Sequence, residues 1–499
     1  MNGARRLFDS AASLRYRRFE GSWPAAASAI LAPARPRTYG RTEREKLRRV
    51  LIIGKGESTE TVAREPRGLV GAGRQVEEQG SRRQTWLVLI FLLAFVLRLA
   101  WSFYADADPR NVWRYDMTLY DYEASQLADG AGYVDYWGLP SAHWPPGYPM
   151  ALAPLYFLFD NNPVAARMLN AVLGSATVVL LYLLGSRLFD RRVGLTAALL
   201  LALFPNQVFF SSLTLTEILF TTLLVLILLL TVYLMLGQRA PPLWQVGLTG
   251  ALIGYASLVR GEGLLLVAFI LPALLIRWRS WRRVLTYAAV LLVGMAIIIA
   301  PWTVRNVVRM KSPILLSTSG TEALWIGHHA GANGRISQFD VGVRYETLPN
   351  PEREVKINDI ALDEALAFIR HHPAEDLKLI PSKLLALYKD DGSSMHWIQL
   401  EEFTIPPQAG AFFGGLASVY YWVALLVAAA GARAWFSLRE PGKALLVGAV
   451  VYWTLIFGVV FFGDNRFHFP IIPILSLWAA ASLVMMGDLL RKRWRPAPA

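Results

Sequence analysis

Residues 213–236 read LTLTEILFTTLLVLILLLTVYLML. After Glu217 this stretch contains no charged residue up to its end at Leu236. A helix needs about 20 mainly apolar residues to cross the hydrocarbon core of a bilayer. The stretch therefore predicts a transmembrane helix that starts beside a carboxylate.

Similar apolar stretches recur along the chain. Of its 499 residues, 54% are apolar and 17% are charged, whereas soluble globular domains carry about 25% charged residues. The absence of cysteine excludes a disulfide scaffold, a thiol nucleophile and a thiolate metal site. The pattern predicts an all-α polytopic membrane protein with about ten transmembrane helices. The predicted spans are 86–104, 164–185, 193–209, 213–236, 243–259, 263–276, 284–302, 411–430, 444–462 and 469–489.

The basic charge follows the pattern that orients membrane proteins. The net charge is +13, and residues 1–85 carry 18 Lys and Arg against 9 Asp and Glu. With the N-terminus inside, short inner loops and the C-terminal tail hold 15 basic residues, whereas short outer loops hold only Arg260 and Arg466. Both termini are therefore expected in the cytoplasm, and nucleic acid is not needed to explain the charge.

The spans divide the chain into parts and leave two long loops on the outer face. Within the second loop, apolar residues at helical spacing on either side of His371-His372-Pro373 predict two amphipathic helices at the membrane face. The predicted parts are a disordered basic cytoplasmic tail (1–85), an N-terminal transmembrane catalytic module (86–302) that includes the outer loop 105–163, an outer-face helical loop subdomain (303–410), C-terminal transmembrane helices (411–490) and a basic cytoplasmic tail (491–499).

Polar residues that interrupt this pattern converge on the outer rim. Ionisable residues at membrane depth are costly, so each one is a candidate for function. No single motif is specific, but their position on one face is informative. The candidates are Asp116 and Tyr120 in the first outer loop, His143 before Trp-Pro-Pro-Gly-Tyr-Pro149, Glu217 at a span start, Arg260 with Glu262, Arg305 with Asn306, and Arg466 with His468.

An ordered set of these positions resembles a known family. The spacing Asp116-x3-Tyr120-x3-Ala124-x2-Leu127-x2-Gly130-x-Gly132-Tyr133 is similar to the first outer loop of the GT-C superfamily of membrane glycosyltransferases. More narrowly, it resembles the bacterial family-39 branch, which includes dolichyl-phosphate-mannose–protein mannosyltransferases, the lipid A aminoarabinose transferase and rhizobial lipid A galacturonosyltransferases. The resemblance covers residues 86–490 and continues through Pro145-Pro-Gly-Tyr-Pro149, Thr216-Glu217, Pro301-Trp302 and the stretch from Arg466 to Pro473.

The resemblance implies a GT-C-like architecture and a transferase that moves a sugar from a polyprenyl-phosphate carrier to an outward-facing envelope acceptor, with inversion. Asp116 matches the acidic residue that the family uses in this loop and is the expected base, with Glu217 as a second catalytic candidate. Several relatives have Asp-Glu where this chain has Asp116-Met117, so this chain lacks the second acid at that point. The expected substrate-binding residues are Tyr120, His143, Arg260, Glu262, Arg305, Asn306, Arg466 and His468.

The residues suit that chemistry, since guanidinium groups grip phosphate and a carboxylate can accept a proton from an alcohol. The expected partners are the lipid-linked sugar, an envelope glycolipid, polysaccharide or protein, and the bilayer of a bacterial-type inner membrane. No cofactor is firmly predicted and a divalent cation is left open, because the adjacent His328 and His329 lack the spacing of a zinc site. A transporter or flippase for a lipid-linked sugar and a degenerate scaffold subunit are the alternatives.

Overall fold

The computed structural model describes residues 67–111, 116–341, 347–400 and 405–493, with side chains from Thr85 onward apart from that of Leu400. All elements lie in the unit from Gln75 to the C-terminus, apart from the start of the first helix. The α-helices are α1 (Arg67–Ala105), α2 (Asp116–Ala128), α3 (Gly147–Leu158), α4 (Val164–Leu188), α5 (Arg191–Ala202), α6 (Pro205–Phe209), α7 (Glu217–Leu236), α8 (Leu243–Val259), α9 (Val267–Trp278), α10 (Trp281–Arg309), α11 (Ser319–Gly327), α12 (Glu352–His371), α13 (Pro373–Tyr388), α14 (Ser393–Leu400), α15 (Pro407–Ala430), α16 (Ala432–Trp435), α17 (Pro441–Leu455) and α18 (Ile472–Arg493).

Short helical turns and two bridges complete the described part of the chain. The described residues form no strand, only isolated bridges between Val134 and Pro140 and between Arg335 and Gly463. The shorter turns are 3-10 helices at Pro109–Asn111, Phe210–Ser212, Gly261–Leu265 and Phe469–Ile471, and a π-helical turn at Ile456–Val460. The predicted all-α class is therefore confirmed.

The predicted spans correspond to apolar helices. Eight helical segments of the described residues are long and apolar enough to cross a bilayer, and a ninth span is a bent pair. This pair, α5 and residues 205–212, bends by 61°. The bend lies at Phe204, whose backbone is extended because it precedes Pro205. A residue before proline disfavours the helical conformation. The remaining predicted span, 243–259, is α8, an apolar helix of 17 residues.

The tails and the second long loop differ in how far the structure describes them. Of the predicted tail, residues 1–66 lie outside the described residues, whereas residues 67–85 belong to α1. The C-terminal tail is helical up to Arg493, and residues 494–499 again lie outside them. In the second loop, α12 ends at His371 and α13 begins at Pro373, so two helices do meet at the predicted break.

Helices α8 and α10 pack closely against each other at positions where both carry glycine. A Cβ on Gly250 of α8 would lie 2.2 Å from the carbonyl oxygen of Leu291 in α10. A Cβ on Gly294 of α10 would lie 2.3 Å from the carbonyl oxygen of Gly247 in α8. Small residues at these positions let the two helix backbones approach.

One end of the bundle carries the long connections and is called the loop face here. It comprises the described residues of 116–163, 310–400 and 461–468. Its segments bind one another: Thr318 and Ser319 donate backbone hydrogen bonds of 3.0 Å to the carbonyls of Ala142 and His143. The loop face is thus one packed structure and holds the site described next.

Candidate active site

A buried carboxylate lies at the centre of the loop face. Glu217 begins α7, and its side chain has 0% exposure. Its Oε1 accepts a hydrogen bond from Nη1 of Arg260 at 2.8 Å and another from Nε of Arg466. The two guanidinium groups balance the negative charge of the buried carboxylate and so favour its ionised form.

Further carboxylates extend this contact on both sides. Nη1 of Arg466 donates to Oδ2 of Asp116 at 2.7 Å, and Nη2 of Arg260 contacts Oε1 of Glu262 at 3.2 Å. Charges alternate along the five residues Glu262, Arg260, Glu217, Arg466 and Asp116, which we call the ionic chain. It ends at Asp116, whose side chain is 22% exposed at the first residue of α2.

The surroundings keep the ionic chain in place. The guanidinium carbon of Arg466 lies 4.5 Å from the centroid of the Trp397 ring, and that of Arg260 lies 5.7 Å from the Phe467 ring. Burial disfavours the charge of Arg466, but the carboxylates of Glu217 and Asp116 outweigh it and raise the pKa of this guanidinium. Both arginines therefore remain cationic.

Tyr120 connects the ionic chain with a neighbouring cavity. Its side chain is buried, and burial together with the Asp116 carboxylate raises the pKa of its hydroxyl. Its ring centroid lies 5.6 Å from that of Trp144 and 5.7 Å from that of Tyr148. Six predicted residues are thus together: Asp116, Tyr120, Glu217, Arg260, Glu262 and Arg466.

Arg305 and Asn306 lie outside this group and bind backbone. Nη1 of Arg305 donates to the carbonyl of Ser141 at 2.6 Å, and its Nη2 donates to the carbonyl of Tyr133. The buried Asn306 donates to the carbonyl of Ile314 at 3.0 Å. These contacts hold the first loop against the end of α10.

His468 is also directed away from the ionic chain. It is buried, its Nε2 lies 2.9 Å from Oδ1 of Asp391, and its Nδ1 lies 2.6 Å from the carbonyl of Leu387. The same Asp391 oxygen accepts from Nδ2 of Asn206 at 2.6 Å. This cluster joins the second loop to the bent segment after α5.

His143 borders a cavity of about 240 Å³ beside α2, α11 and α12. Its Nε2 lies 3.7 Å from Oε2 of Glu322, a residue that the sequence analysis did not single out. Burial, with a contribution from the Asp116 carboxylate, raises the pKa of Glu322 to about 7. Glu322 directly precedes the apolar stretch Ala-Leu-Trp-Ile-Gly327, and nothing in the sequence marked it as a site residue.

The histidines considered for metal binding have other partners. Nδ1 of His328 lies 2.5 Å from Oδ1 of Asp376, and its Nε2 lies 3.1 Å from Nζ of Lys383. His329 stacks on Trp325 with a centroid separation of 3.9 Å. Across the described ranges, no group of three or more His, Asp and Glu is arranged to hold a metal ion.

The fold and the site define a multi-span membrane protein with a buried chain of ionised side chains at one end of its helices. Residues 143–304 match the family model described as dolichyl-phosphate-mannose-protein mannosyltransferase. This match confirms the predicted resemblance over that range. A comparison with curated protein sequences finds no match.

Several solved membrane proteins are similar in structure. The oligosaccharyltransferase AglB from Archaeoglobus fulgidus, solved with an inhibitory peptide and a dolichol-phosphate, has 16% identity and a TM-score of 0.48, covering 84% of this chain and 53% of its own. ArnT from Cupriavidus metallidurans, bound to undecaprenyl phosphate, has 15% identity and a TM-score of 0.41, covering 81% of this chain and 79% of its own. The chain thus spans about half the length of the archaeal protein.

Proposed function

We propose that the protein is a membrane glycosyltransferase that moves a sugar from a polyprenyl-phosphate carrier to an acceptor of the cell envelope, such as a glycolipid, polysaccharide or protein. The observation that carries the proposal is the contact of Arg466 with both Asp116 and Glu217, beside Arg260. This arrangement places a partly exposed carboxylate next to two buried cations. The match to a mannosyltransferase family model supports the same chemistry.

The cations suit a phosphate leaving group. Arg466 uses Nε for Glu217 and Nη1 for Asp116, while its Nη2 has no acceptor among the described residues. That nitrogen is left to donate to a lipid phosphate, and the guanidinium charge stabilises the phosphate as it leaves. For Glu217 we assign a positioning role, because it is fully buried and orients both arginines.

With Asp116 as the base, the bond that forms in the transfer is matched by the bond that breaks. A bond forms between the acceptor oxygen and the anomeric carbon, while the bond from that carbon to the phosphate oxygen breaks and its electron pair leaves with the phosphate. Attack from the side opposite the phosphate inverts the anomeric configuration. The acceptor proton passes to the carboxylate of Asp116, which the contact with Arg466 holds in position.

The site is assigned to the outer face of a bacterial-type inner membrane, with both termini in the cytoplasm. The support is the distribution of charge: basic residues concentrate on the short loops at the end of the bundle opposite the loop face. A polyprenyl-phosphate carrier and the envelope acceptor would then meet at the loop face.

The test uses purified protein in nanodiscs with radiolabelled undecaprenyl-phosphate sugars and envelope extract. We expect transfer from one donor, inverted product by NMR, and a loss of about 10²–10⁴-fold in Asp116→Asn. Undecaprenyl phosphate should bind Asp116→Asn at least as well as the wild type, because Arg466 loses a competing carboxylate. Asp129→Asn, in the same loop, is the matched control and should keep full activity.

Other outcomes would contradict the proposal. Full transfer by Asp116→Asn would exclude this residue as the base. If the wild type consumes no donor but moves labelled lipid across the bilayer of a proteoliposome, the protein is a transporter. If it binds the lipid and neither transfers nor moves it, the scaffold alternative holds.

A further inference from the structure

We propose that the cavity beside the ionic chain is a subsite for one sugar ring, in which Glu322, His143 and Trp144 recognise hydroxyl groups. The inference rests on the proposed function and deepens it. The cavity has a volume of about 240 Å³ and lies beside α2, α11 and α12. Pockets for drug-sized ligands are typically about 300–1,000 Å³, so this one suits a smaller ligand.

Aromatic side chains form much of the cavity wall. Tyr122, Tyr136, Trp137, Trp144 and Phe339 all line it. Aromatic rings present flat apolar surfaces, and a sugar ring has apolar C–H faces bordered by hydroxyl groups. The wall therefore fits a ring whose faces are apolar and whose edge is polar.

The cavity also offers both donors and acceptors. The indole Nε1 of Trp144 and Nε of Arg353 are buried and have no hydrogen-bond partner among the described residues. Among the described residues Glu322 pairs with His143, whose Nε2 lies 3.7 Å from Oε2 and is therefore beyond hydrogen-bond distance. A hydroxyl group donates and accepts at once, so a hydroxyl-rich ligand satisfies this mixture better than a simple cation or anion.

A second carboxylate in the cavity wall, that of Glu354, is already hydrogen-bonded within the protein and has a structural role. Glu354 is buried and accepts from Oγ of Ser141 at 2.9 Å, from the amide of Ala142 at 2.8 Å and from Oγ1 of Thr318 at 3.1 Å. It fixes the wall that carries His143. Glu322 makes no comparable set of bonds within the described part of the chain, which is why we assign recognition to it.

The subsite is adjacent to the reacting groups. The Trp144 ring packs on Tyr120, which is coupled electrostatically to Asp116 and Arg466. A sugar in the cavity therefore lies next to the end of the ionic chain. It could belong to the donor or to a glycan acceptor, and the hydrogen-bonding chemistry is the same for both.

The test compares Trp144→Phe, which removes one N–H and keeps an aromatic ring, with Glu322→Gln, which keeps the shape of the side chain. The matched controls are Trp281→Phe and Glu440→Gln, two exposed positions away from the loop face. Affinities are measured in nanodiscs for undecaprenyl phosphate and for the undecaprenyl-phosphate sugar that supports transfer.

If the cavity holds the donor sugar, we expect weaker binding of the sugar-linked lipid, by about 5-fold for Trp144→Phe and about 10-fold or more for Glu322→Gln. Affinity for undecaprenyl phosphate itself should not change. If the cavity holds an acceptor glycan, both lipids bind normally and KM for the acceptor rises by the same factors.

The inference is overturned if both variants match their controls in lipid affinity and in KM for the acceptor. Failure of the proposed function has a different signature, in which the wild type binds no undecaprenyl phosphate. In that event the cavity is tested with methyl α-mannoside. Quenching of tryptophan fluorescence that disappears in Trp144→Phe supports the subsite, and its absence in the wild type rejects it.

Discussion

Arg260 and Arg466 donate to the same oxygen atom, Oε1 of Glu217, although Glu217 is 43 residues from one and 249 residues from the other along the chain. Two guanidinium groups that share one buried acceptor repel each other, and a negative charge on that acceptor offsets the repulsion. The carboxylate of Glu217 is therefore the group that allows both arginines to be buried together.

Glu217→Gln should accordingly destabilise the protein. It removes the negative charge and leaves two buried cations near each other, so we expect the free energy of unfolding to fall by about 3–5 kcal/mol. Thermal unfolding in detergent would measure this. Glu262→Gln is the control, because among the described residues the Glu262 carboxylate pairs with one arginine, Arg260, and its loss leaves Arg260 paired with Glu217. Its effect should be clearly smaller than that of Glu217→Gln. Equal effects of the two changes would contradict a central role for Glu217.

Arg305 is expected to hold the first loop rather than bind substrate. Lysine cannot reproduce its two bonds to the carbonyls of Ser141 and Tyr133. In Arg305→Lys we therefore expect faster proteolysis around residues 133–141, while undecaprenyl phosphate still binds in the fraction that stays folded. Arg309→Lys, on an exposed position of the same helix, should behave like the wild type. A selective loss of lipid-phosphate affinity would instead support the predicted substrate-binding role of Arg305.

The contact between Asp391 and His468 is expected to position Arg466. His468 is two residues beyond Arg466, so its fixed ring restrains the loop that presents the guanidinium. We expect Asp391→Asn to lower kcat about 10-fold with little change in KM for the donor. In an Arg466→Lys background the same change should have a much smaller effect, since interacting residues give non-additive losses. Fully additive losses would mean that the two residues act independently.

The stability of the protein should depend on pH through Glu322. Its pKa is raised from 4.5 to about 7, so the folded state holds the proton that the unfolded state loses. The stabilising contribution is present below pH 4.5 and is lost as the pH rises towards 7. Glu322→Gln does not ionise, so between pH 5 and pH 8 its stability relative to the wild type should increase by about 2–3 kcal/mol. A difference independent of pH would show that this carboxyl titrates normally.

Close packing of α8 and α10 gives a test of the bundle itself. Gly250→Ala places a methyl group within 2.2 Å of the Leu291 carbonyl oxygen, and overpacking of this kind typically costs about 1–3 kcal/mol. Gly415→Ala, in α15, is the matched control, because a Cβ at this position would have no atom within 4 Å. Unfolding midpoints of the two variants should therefore differ. Similar midpoints would indicate that α8 and α10 move apart to accommodate the methyl group without a loss of stability.

Much of this fold could be predicted, because charged residues are costly in a bilayer and concentrate at the ends of apolar spans. The rule places Glu217, Arg260 and Arg466 at the ends of helices on one face, and they do lie together. The bend before Pro205 was harder to predict, because a single apolar stretch fits both a straight span and a bent pair of helices. Periodicity does not distinguish the two.

Pairing within the site was not predictable from the sequence. The acceptors of Arg305 are backbone carbonyls, which any sequence possesses, so nothing marks them in advance. His468 and Arg466 are neighbours in sequence, yet their side chains have different partners, because the intervening turn leads into the 3-10 helix at Phe469–Ile471. Glu322 is a single acid beside apolar residues, and its place in the cavity wall near His143 emerges only from the structure.

The separation of Asp116 and Arg466 by 350 residues has a consequence for biosynthesis. The chain is made from its N-terminus, so Asp116, Glu217 and Arg260 are inserted long before the segment with Arg466 leaves the ribosome. Until then Glu217 lacks one of its two cations. The nascent protein must therefore pass through a stage in which this carboxylate is hydrated, protonated or shielded by the insertion machinery, and a chain truncated before residue 461 should be a substrate for quality-control proteases.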